Sequence, residues 1–326
     1  MTRAAEARDQ SNPAKRVNIK FADQLKQTRE DLARFSKLHP DFLKQCFAAI
    51  DDGEPAMSRP SVGESFAHLV AKGLTLDDED RRVLAAAGLA MFGYTVLVDH
   101  EIDKNGYLDG RASIAASALL SWGIATGGRY AAGTPYADVF LHNVSRAFAG
   151  QYEDISFRSN PETDRHGSDV DKNRAVVALI AAFTAAARDS NNRLIRSVEA
   201  LLESFQILDD LADIEEDLGQ NNLTGFVRMF KERAGATVPT TRAEIYRTIM
   251  NDPRAQTTLE RTKDGIEKAL LLLNPGDDQA MIAYLGELHD GTIVLIEALD
   301  DYRRNPSPIK EPEIMRRIEQ VATGSS

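Results

Sequence analysis

Apolar residues return every three or four positions along most of the chain, which is the spacing of amphipathic and buried helices. Turn-forming residues interrupt this pattern, among them Asn-Gly at 105–106, Gly-Gly at 127–128 and Asn-Pro-Gly at 274–276. No segment alternates between apolar and polar residues for long enough to predict a strand. The pattern therefore predicts an all-α protein. We predict helices at about 23–50, 62–73, 78–103, 111–126, 135–156, 170–188, 191–218, 241–250, 255–273, 278–303 and 310–322.

The chain shows no internal repeat and no linker-like segment between its helices. Its first residues are polar and charged, and they carry no helical apolar pattern. We therefore predict a disordered N-terminal tail at 1–18, followed by a single helical domain at 19–322. Thr241 and Glu244 have the spacing of a capping box at the start of one predicted helix.

The segment at 205–217, FQILDDLADIEED, mixes acidic residues with Phe, Ile and Leu. In a helix, Asp209, Asp213 and Asp217 fall at i, i+4 and i+8, so their carboxylates lie on one face. Like charges at this spacing destabilise an isolated helix, and a bound cation would relieve the repulsion. Because the cluster offers hard oxygen ligands, we predict Mg²⁺ or, alternatively, Mn²⁺. A solvated acidic helix face is the other interpretation.

A second acidic cluster ends the apolar helical run at 83–98. Asp99 and Asp103 are again at i and i+4, with His100 and Glu101 between them. Carboxylates at a helix C-terminus oppose the helix macrodipole, so solvation of a helix end explains them less well than a cation does. We expect the two acidic clusters to face each other across one cavity.

At these residues the chain resembles the trans-isoprenyl diphosphate synthases. FQILDDLAD at 205–213 resembles their second aspartate-rich motif, FQxxDDxxD. DHEID at 99–103 is similar to their first motif, DDxxD, with His100 in the place of the second Asp.

Three weaker similarities accompany the two motifs and follow the family's order. GQYEDI at 150–155 resembles the segment GQxxD(I/L), and Lys172 resembles the lysine that begins the next helix. Arg59 and Pro60 resemble the end of the N-terminal element GKRxRP. The chain is thereby identified as resembling the class I isoprenoid synthase superfamily over residues 59–225. This resemblance implies a single-domain class I terpenoid synthase helical bundle around a central apolar cavity, and a homodimer.

The departures from the family pattern concern the second substrate. Elongating synthases carry Lys and Arg before the Arg-Pro pair to hold isopentenyl diphosphate, and this chain has Ala56 and Met57 there. The Arg-Arg-Gly expected after the first motif is also missing, since the chain reads LDGR at 108–111. A lost second-substrate site with a kept metal site favours a terpene synthase, which ionises one allylic isoprenyl diphosphate and cyclises or eliminates the carbocation.

Two alternatives stay open. The first is a prenyltransferase that performs chain elongation, head-to-head coupling or transfer to another acceptor, and the low aromatic content of 7% favours it. The second is a non-catalytic regulatory subunit of a prenyl synthase, which the His100 substitution would suit. Against that second alternative, five Asp residues at metal spacing remain.

The resemblance and the charges assign residues to four roles, with Asp99, Asp103, Asp209 and Asp213 expected to be catalytic. The residues expected to hold metal ions are Asp99, Asp103, Asp209, Asp210, Asp213 and Asp217. Those expected to bind the diphosphate are Lys172, Arg174, Gln206, Arg303 and Arg59. Candidates for the cavity wall, for each of which ordinary core is the favoured interpretation, are Phe92, Tyr94, Phe148, Tyr152, Phe183 and Phe205.

Composition narrows the partners. The chain of 326 residues has a formal net charge of −11, which argues against nucleic acid. Its single cysteine, Cys46, excludes intrachain disulfides and predicts a reducing, cytoplasmic location. The apolar run at 175–187 is only about 13 residues long, too short to span a bilayer. We expect farnesyl or geranylgeranyl diphosphate as the small-molecule partner.

Overall fold

The structure is a computed structural model, and it describes residues 13–53, 62–103, 110–159, 170–220 and 241–322. Within these ranges it contains helices joined by turns and no strand, which confirms the predicted all-α class. The helices of the first part of the chain are α1 (Pro13–Ser36), α2 (Pro40–Gly53), α3 (Val62–Lys72), α4 (Asp78–Asp103), α5 (Gly110–Ala131) and α6 (Ala137–Ser159). A 3-10 turn (Asp171–Arg174) leads into α7 (Ala175–Ala186), α8 (Arg193–Ala212), α9 (Ile214–Gln220), α10 (Arg242–Asn251), α11 (Pro253–Leu272), α12 (Gln279–Arg304) and α13 (Glu311–Ala322).

The chain divides into two compact units. The first contains Met1–Ser145 and Ala175–Asn192, and the second contains Arg146–Arg174 and Arg193–Ser326. The prediction of one domain at 19–322 stays a prediction. Helix α1 begins at Pro13, inside the tail predicted at 1–18, while residues 1–12 lie outside the described residues.

In the first unit, α4 is the central helix. It packs against α1, α2, α3, α5 and α7. Its Asp78–Val98 stretch has the length and composition of a membrane span, but 61% of it is buried inside the structure, as in the core helix of a globular protein. Helix α7 is apolar except for Thr184, and all its residues from Val177 to Ala185 are buried. Burial of apolar side chains from both helices supplies the main stabilisation of this unit.

In the second unit, α8 packs closely against α11. Ser204 Oγ donates to the Thr262 carbonyl oxygen at 3.0 Å, and Ser197 Oγ donates to the Ala269 carbonyl oxygen at 3.1 Å. These bonds satisfy two buried hydroxyls that would otherwise destabilise the interface. Helix α10 begins with the predicted capping box, since Thr241 and Glu244 accept each other's backbone N–H groups.

Two long predicted helices are interrupted in the structure. The predicted helix at 23–50 divides into α1 and α2, because Lys37 adopts a positive φ of 52° and Pro40 disfavours the helical region for the residue before it. The predicted helix at 191–218 divides at Asp213, within the acidic segment.

Candidate functional site

The acidic segment keeps its helical register through the interruption between α8 and α9. Asp213 N donates to the Asp209 carbonyl oxygen at 3.0 Å, and Asp217 N donates to the Asp213 carbonyl oxygen at 2.9 Å. The three residues are therefore joined by successive i to i+4 backbone bonds, as an α-helix requires. This confirms the spacing that the sequence predicts.

Exposure separates the acidic residues into two pairs. Asp209 and Asp213 are exposed, whereas Asp210 and Asp217 are buried, with 9% and 7% of their surface accessible. Asp217 is therefore buried although it continues the helical register of Asp209 and Asp213, and its role as a metal ligand stays a prediction. A buried carboxylate needs partners within the protein, while an exposed one is accessible to ions in solution.

The exposed pair, Asp209 and Asp213, matches the way in which proteins usually coordinate Mg²⁺. In the part of the chain that the structure describes, no three His, Cys, Asp or Glu side chains are grouped to hold a metal ion by themselves. Mg²⁺ is usually bound by one or two carboxylates, with waters and substrate phosphate completing its shell. Asp209 and Asp213, one helical turn apart, meet that need for protein ligands, and their hard oxygen atoms suit this ion.

Gln206 contacts the buried side of the acidic segment. Its Nε2 donates to Asp210 Oδ1 at 2.7 Å, and its Oε1 accepts from Asn173 Nδ2 at 2.9 Å. Gln206 itself is 6% exposed. Both ends of this amide therefore bond to protein groups. In the structure Gln206 connects Asn173 to Asp210, which differs from the predicted contact with diphosphate.

The 3-10 turn at Asp171–Arg174 is fixed by two arginines, both of which bond to the buried carboxylate of Asp171. Arg146 Nε donates to Asp171 Oδ2 at 3.0 Å, and Arg174 Nε donates to Asp171 Oδ1 at 2.6 Å. Burial raises the pKa of Asp171, but the bonds from Arg174 and Arg146 outweigh it and hold that pKa below its ordinary value. Asp171 is thus ionised at neutral pH, and Arg174 is bonded to it rather than presented alone to a ligand.

The same turn lies directly against α6 at Gly150. A Cβ atom on this residue would lie 2.5 Å from Lys172 N and 2.7 Å from the Asp171 carbonyl carbon. Any side chain here would collide with backbone, so the glycine of the GQYEDI segment is required by the contact with the turn. Lys172, the predicted diphosphate ligand, is half-buried beside this contact.

Arg303, predicted to bind diphosphate, bonds instead to the junction between α10 and α11. Its guanidinium donates to the Met250 carbonyl oxygen at 2.9 Å and to the Asp252 carbonyl oxygen at 2.7 Å, and it also donates to Gln256 Oε1. Burial lowers the pKa of Arg303. With three acceptors in its own unit, the guanidinium stabilises the fold, and the helix-end position accounts for it without a ligand.

We expect Arg303→Met to lower the free energy of unfolding by about 2–3 kcal/mol, because two backbone carbonyls lose their donor. The neighbouring Arg304→Met is the control. Arg304 has a 73% exposed side chain paired with Asp300, so its loss is expected to change stability by less than about 0.5 kcal/mol. Urea unfolding of both variants measures the difference. Unchanged stability of Arg303→Met, with loss of pyrophosphate binding, would restore the predicted role.

The aromatic candidates for the cavity wall divide by exposure. Phe183 is fully buried in α7, and Phe92, Tyr94 and Phe205 are half-buried. Phe148 and Tyr152, one turn apart on α6, are 38% and 73% exposed. These two residues are exposed in the chain, and their assignment to the cavity wall stays a prediction.

Part of the predicted site falls outside the described side chains. Asp99 and Asp103 lie in the last turn of α4, in the first unit, and the structure describes their backbone helix only. Arg59 lies outside the described residues. The assignments of these three residues stay predictions.

Asn173 lies in none of the residue sets that the sequence predicts for the site. This residue follows Lys172 in what the apolar pattern treats as the start of a helix, and nothing in its neighbours marks it. Its partner Gln206 is 33 positions away along the chain. Their contact is visible only in the folded structure, where Asn173 Nδ2 and Gln206 Oε1 are 2.9 Å apart.

The helical arrangement is similar to that of a solved structure, Geranylgeranyl Pyrophosphate Synthetase from the archaeon Geoglobus acetivorans. The TM-score is 0.59, and the similarity covers 82% of this chain and 97% of that chain at 18% sequence identity. No protein-family model matches the sequence, and none of the curated proteins is similar to it at a significant level.

The likeness establishes the fold. The chain has the all-helical fold of the isoprenyl diphosphate synthases, which confirms the fold that the two acidic motifs predicted. Fold by itself does not decide function, because substrate and reaction depend on the residues of the site.

Proposed function

We propose that this protein is a Mg²⁺-dependent enzyme that ionises an allylic isoprenyl diphosphate and transfers the resulting prenyl group to an acceptor. The observation that carries the proposal is the exposed pair Asp209 and Asp213, one turn apart, in a fold shared with a geranylgeranyl pyrophosphate synthetase. The apolar chain of the substrate, farnesyl or geranylgeranyl, suits a helical core.

The reaction begins with cleavage of the bond between the allylic carbon and the diphosphate oxygen. Both electrons stay on that oxygen, so negative charge grows on the leaving group and a carbocation remains. When bound, Mg²⁺ would neutralise the leaving charge as a Lewis acid. Asp209 and Asp213 would hold it, and the first acidic motif predicts a metal-binding role for Asp99 and Asp103.

The remaining roles follow from charge and burial. Lys172, on the turn held by Asp171 and Gly150, would donate to the diphosphate. Apolar side chains such as Phe205 would exclude water from the carbocation. In the transferase, a nucleophilic group of the acceptor forms the new bond to the cation and then loses a proton.

A terpene synthase is the second candidate. Ala56 and Met57, in place of basic residues that hold isopentenyl diphosphate in elongating synthases, support it. The solved structure with the shared fold is named as a synthetase of geranylgeranyl pyrophosphate, and this supports transfer over cyclisation.

A homodimer is part of the proposal, and the exposed apolar rings of Phe148 and Tyr152 on α6 offer a surface for it. A cytoplasmic location stays a prediction from the single cysteine.

The test is incubation of purified protein and Mg²⁺ with geranyl, farnesyl and geranylgeranyl diphosphate separately, with and without isopentenyl diphosphate. Diphosphate release and organic products are measured together. We expect release that requires Mg²⁺ and, for the transferase, an acceptor. A cyclic hydrocarbon from one substrate alone would select the terpene synthase. No release in any mixture would contradict the terpene synthase and a transferase that uses isopentenyl diphosphate, and it would favour the non-catalytic subunit.

A further inference from the structure

A chain of three side chains connects the 3-10 turn to the acidic helix. Asn173 Nδ2 donates to Gln206 Oε1 at 2.9 Å, and Gln206 Nε2 donates to Asp210 Oδ1 at 2.7 Å. Gln206 and Asp210 are 6% and 9% exposed, so the connection runs through the protein interior. Buried hydrogen bonds of this kind are costly to leave incomplete.

The chemistry of the groups sets the direction of these bonds. An ionised carboxylate only accepts, so Gln206 must turn its NH₂ group toward Asp210. Its carbonyl oxygen then points to residue 173 and needs a donor there. Asn173 supplies that donor through Nδ2. An acceptor at position 173 would favour the opposite orientation of the Gln206 amide, with its oxygen facing the buried carboxylate.

Asp210 lies between the two exposed acidic residues in the sequence. With its carboxylate held on the buried side, the backbone turn that carries Asp209 and Asp213 is fixed, and both of these residues are exposed to solvent. A rotated or released Asp210 would let that turn move. Substitution of residues that hydrogen-bond to metal-binding groups typically changes the metal affinity by about 10-fold to 100-fold.

We propose that Asn173 is a positioning residue that, through Gln206 and Asp210, sets the affinity of the Asp209–Asp213 pair for a divalent cation. The inference rests on the proposed function and adds a residue that neither acidic motif contains. Asn173 acts through the hydrogen bond that its Nδ2 donates to Gln206. The cation affinity should therefore depend more on a donor at this position than on the volume of the side chain.

Two substitutions separate a donor from a packing role. Asn173→Asp has nearly the same shape but presents an acceptor, whereas Asn173→Ala removes the side chain and leaves the Gln206 amide free to keep its orientation. If Asn173 positions Asp210, the isosteric Asp variant is the more damaging. If Asn173 only fills space, the truncation to Ala is the more damaging. Asn192→Asp makes the same charge change at an exposed position before α8 and serves as the control.

The measurement is calorimetric titration of Mg²⁺ into protein saturated with inorganic pyrophosphate, with melting temperatures recorded in the absence of metal. We expect Asn173→Asp to bind Mg²⁺ about 10-fold to 100-fold more weakly, Asn173→Ala about threefold to tenfold more weakly, and Asn192→Asp as wild type. A double-mutant cycle adds a test that does not depend on the Asp variant folding. In a Gln206→Met background, Asn173→Ala should change the affinity by less than about twofold, since the connection is already broken.

The outcomes distinguish the inference from the function on which it rests. Wild-type protein that binds no Mg²⁺ with pyrophosphate would overturn both. Wild-type binding with an Ala variant as damaging as the Asp variant, or with full additivity in the cycle, would overturn the role of Asn173 alone. An Asp variant with wild-type affinity would do the same.

Discussion

Simultaneous replacement of Asp209 and Asp213 by Asn is expected to lower the rate of Mg²⁺-dependent diphosphate release by about 1,000-fold. Neutral amides bind Mg²⁺ poorly, and a metal ion on the leaving group is worth several kcal/mol, or about 4 kcal/mol for this factor. The same variant should lose the rise in melting temperature that Mg²⁺ with pyrophosphate gives the wild type.

The metal-free protein should respond in the opposite direction. Asp209 and Asp213 carry like charges at i and i+4 near a helix C-terminus, so their neutralisation is expected to stabilise the protein by roughly 0.5 kcal/mol. Asp290→Asn, at a position with an 83% exposed side chain on α12, removes one charge away from the site and is the control. Urea unfolding without metal and a coupled assay of released diphosphate give the two readouts. Destabilisation of the metal-free variant, or wild-type activity, would contradict a metal role for this pair.

Gly150→Ala is expected to destabilise the protein by about 1–3 kcal/mol and to reduce activity by about 100-fold. The added Cβ would lie 2.5 Å from Lys172 N, and a backbone atom cannot turn away as a side chain does. The turn and α6 must therefore separate, which displaces Lys172 and Asn173. A displacement of about 1 Å near reacting groups can cost about 100-fold in rate.

The matched control is Gly286→Ala, also inside a helix of the second unit. A Cβ at Gly286 meets nothing within 4 Å, so the higher helix propensity of Ala should stabilise the protein by up to about 1 kcal/mol. Propensity alone predicts the same gain at both positions, so opposite signs in urea unfolding would demonstrate the contact. Equal stabilisation by both substitutions would refute the close approach between α6 and the turn.

Local patterns in the sequence were sufficient for most of the helices and for the spacing of the acidic residues, although two predicted helices are divided in the structure. The capping box at Thr241 and the bounds of α4 match their predictions, because each depends on residues within one or two helical turns. The i, i+4 and i+8 register of the acidic segment likewise follows from helix geometry. The two acidic motifs also predicted the fold that the structural likeness establishes.

Roles that depend on distant partners were predicted less well. Arg303 has the sequence context of either a helix end or a diphosphate ligand, and its bond to the Asp252 carbonyl spans 51 positions. Tyr152 is an aromatic residue, the type expected in a cavity wall, and it is 73% exposed in the chain. A sequence pattern gives the face of a helix on which a residue lies, but what covers that face depends on packing.

The sequence by itself determined an all-α chain, its acidic helix with carboxylates at one-turn spacing, and the likeness to isoprenyl diphosphate synthases. Only the tertiary structure decided that Asp209 and Asp213 are exposed while Asp210 and Asp217 are buried, and that Asn173 reaches Asp210 through Gln206. The physical reason is range: helix register is set by bonds four residues apart, whereas burial and side-chain partners are set by segments that folding brings together.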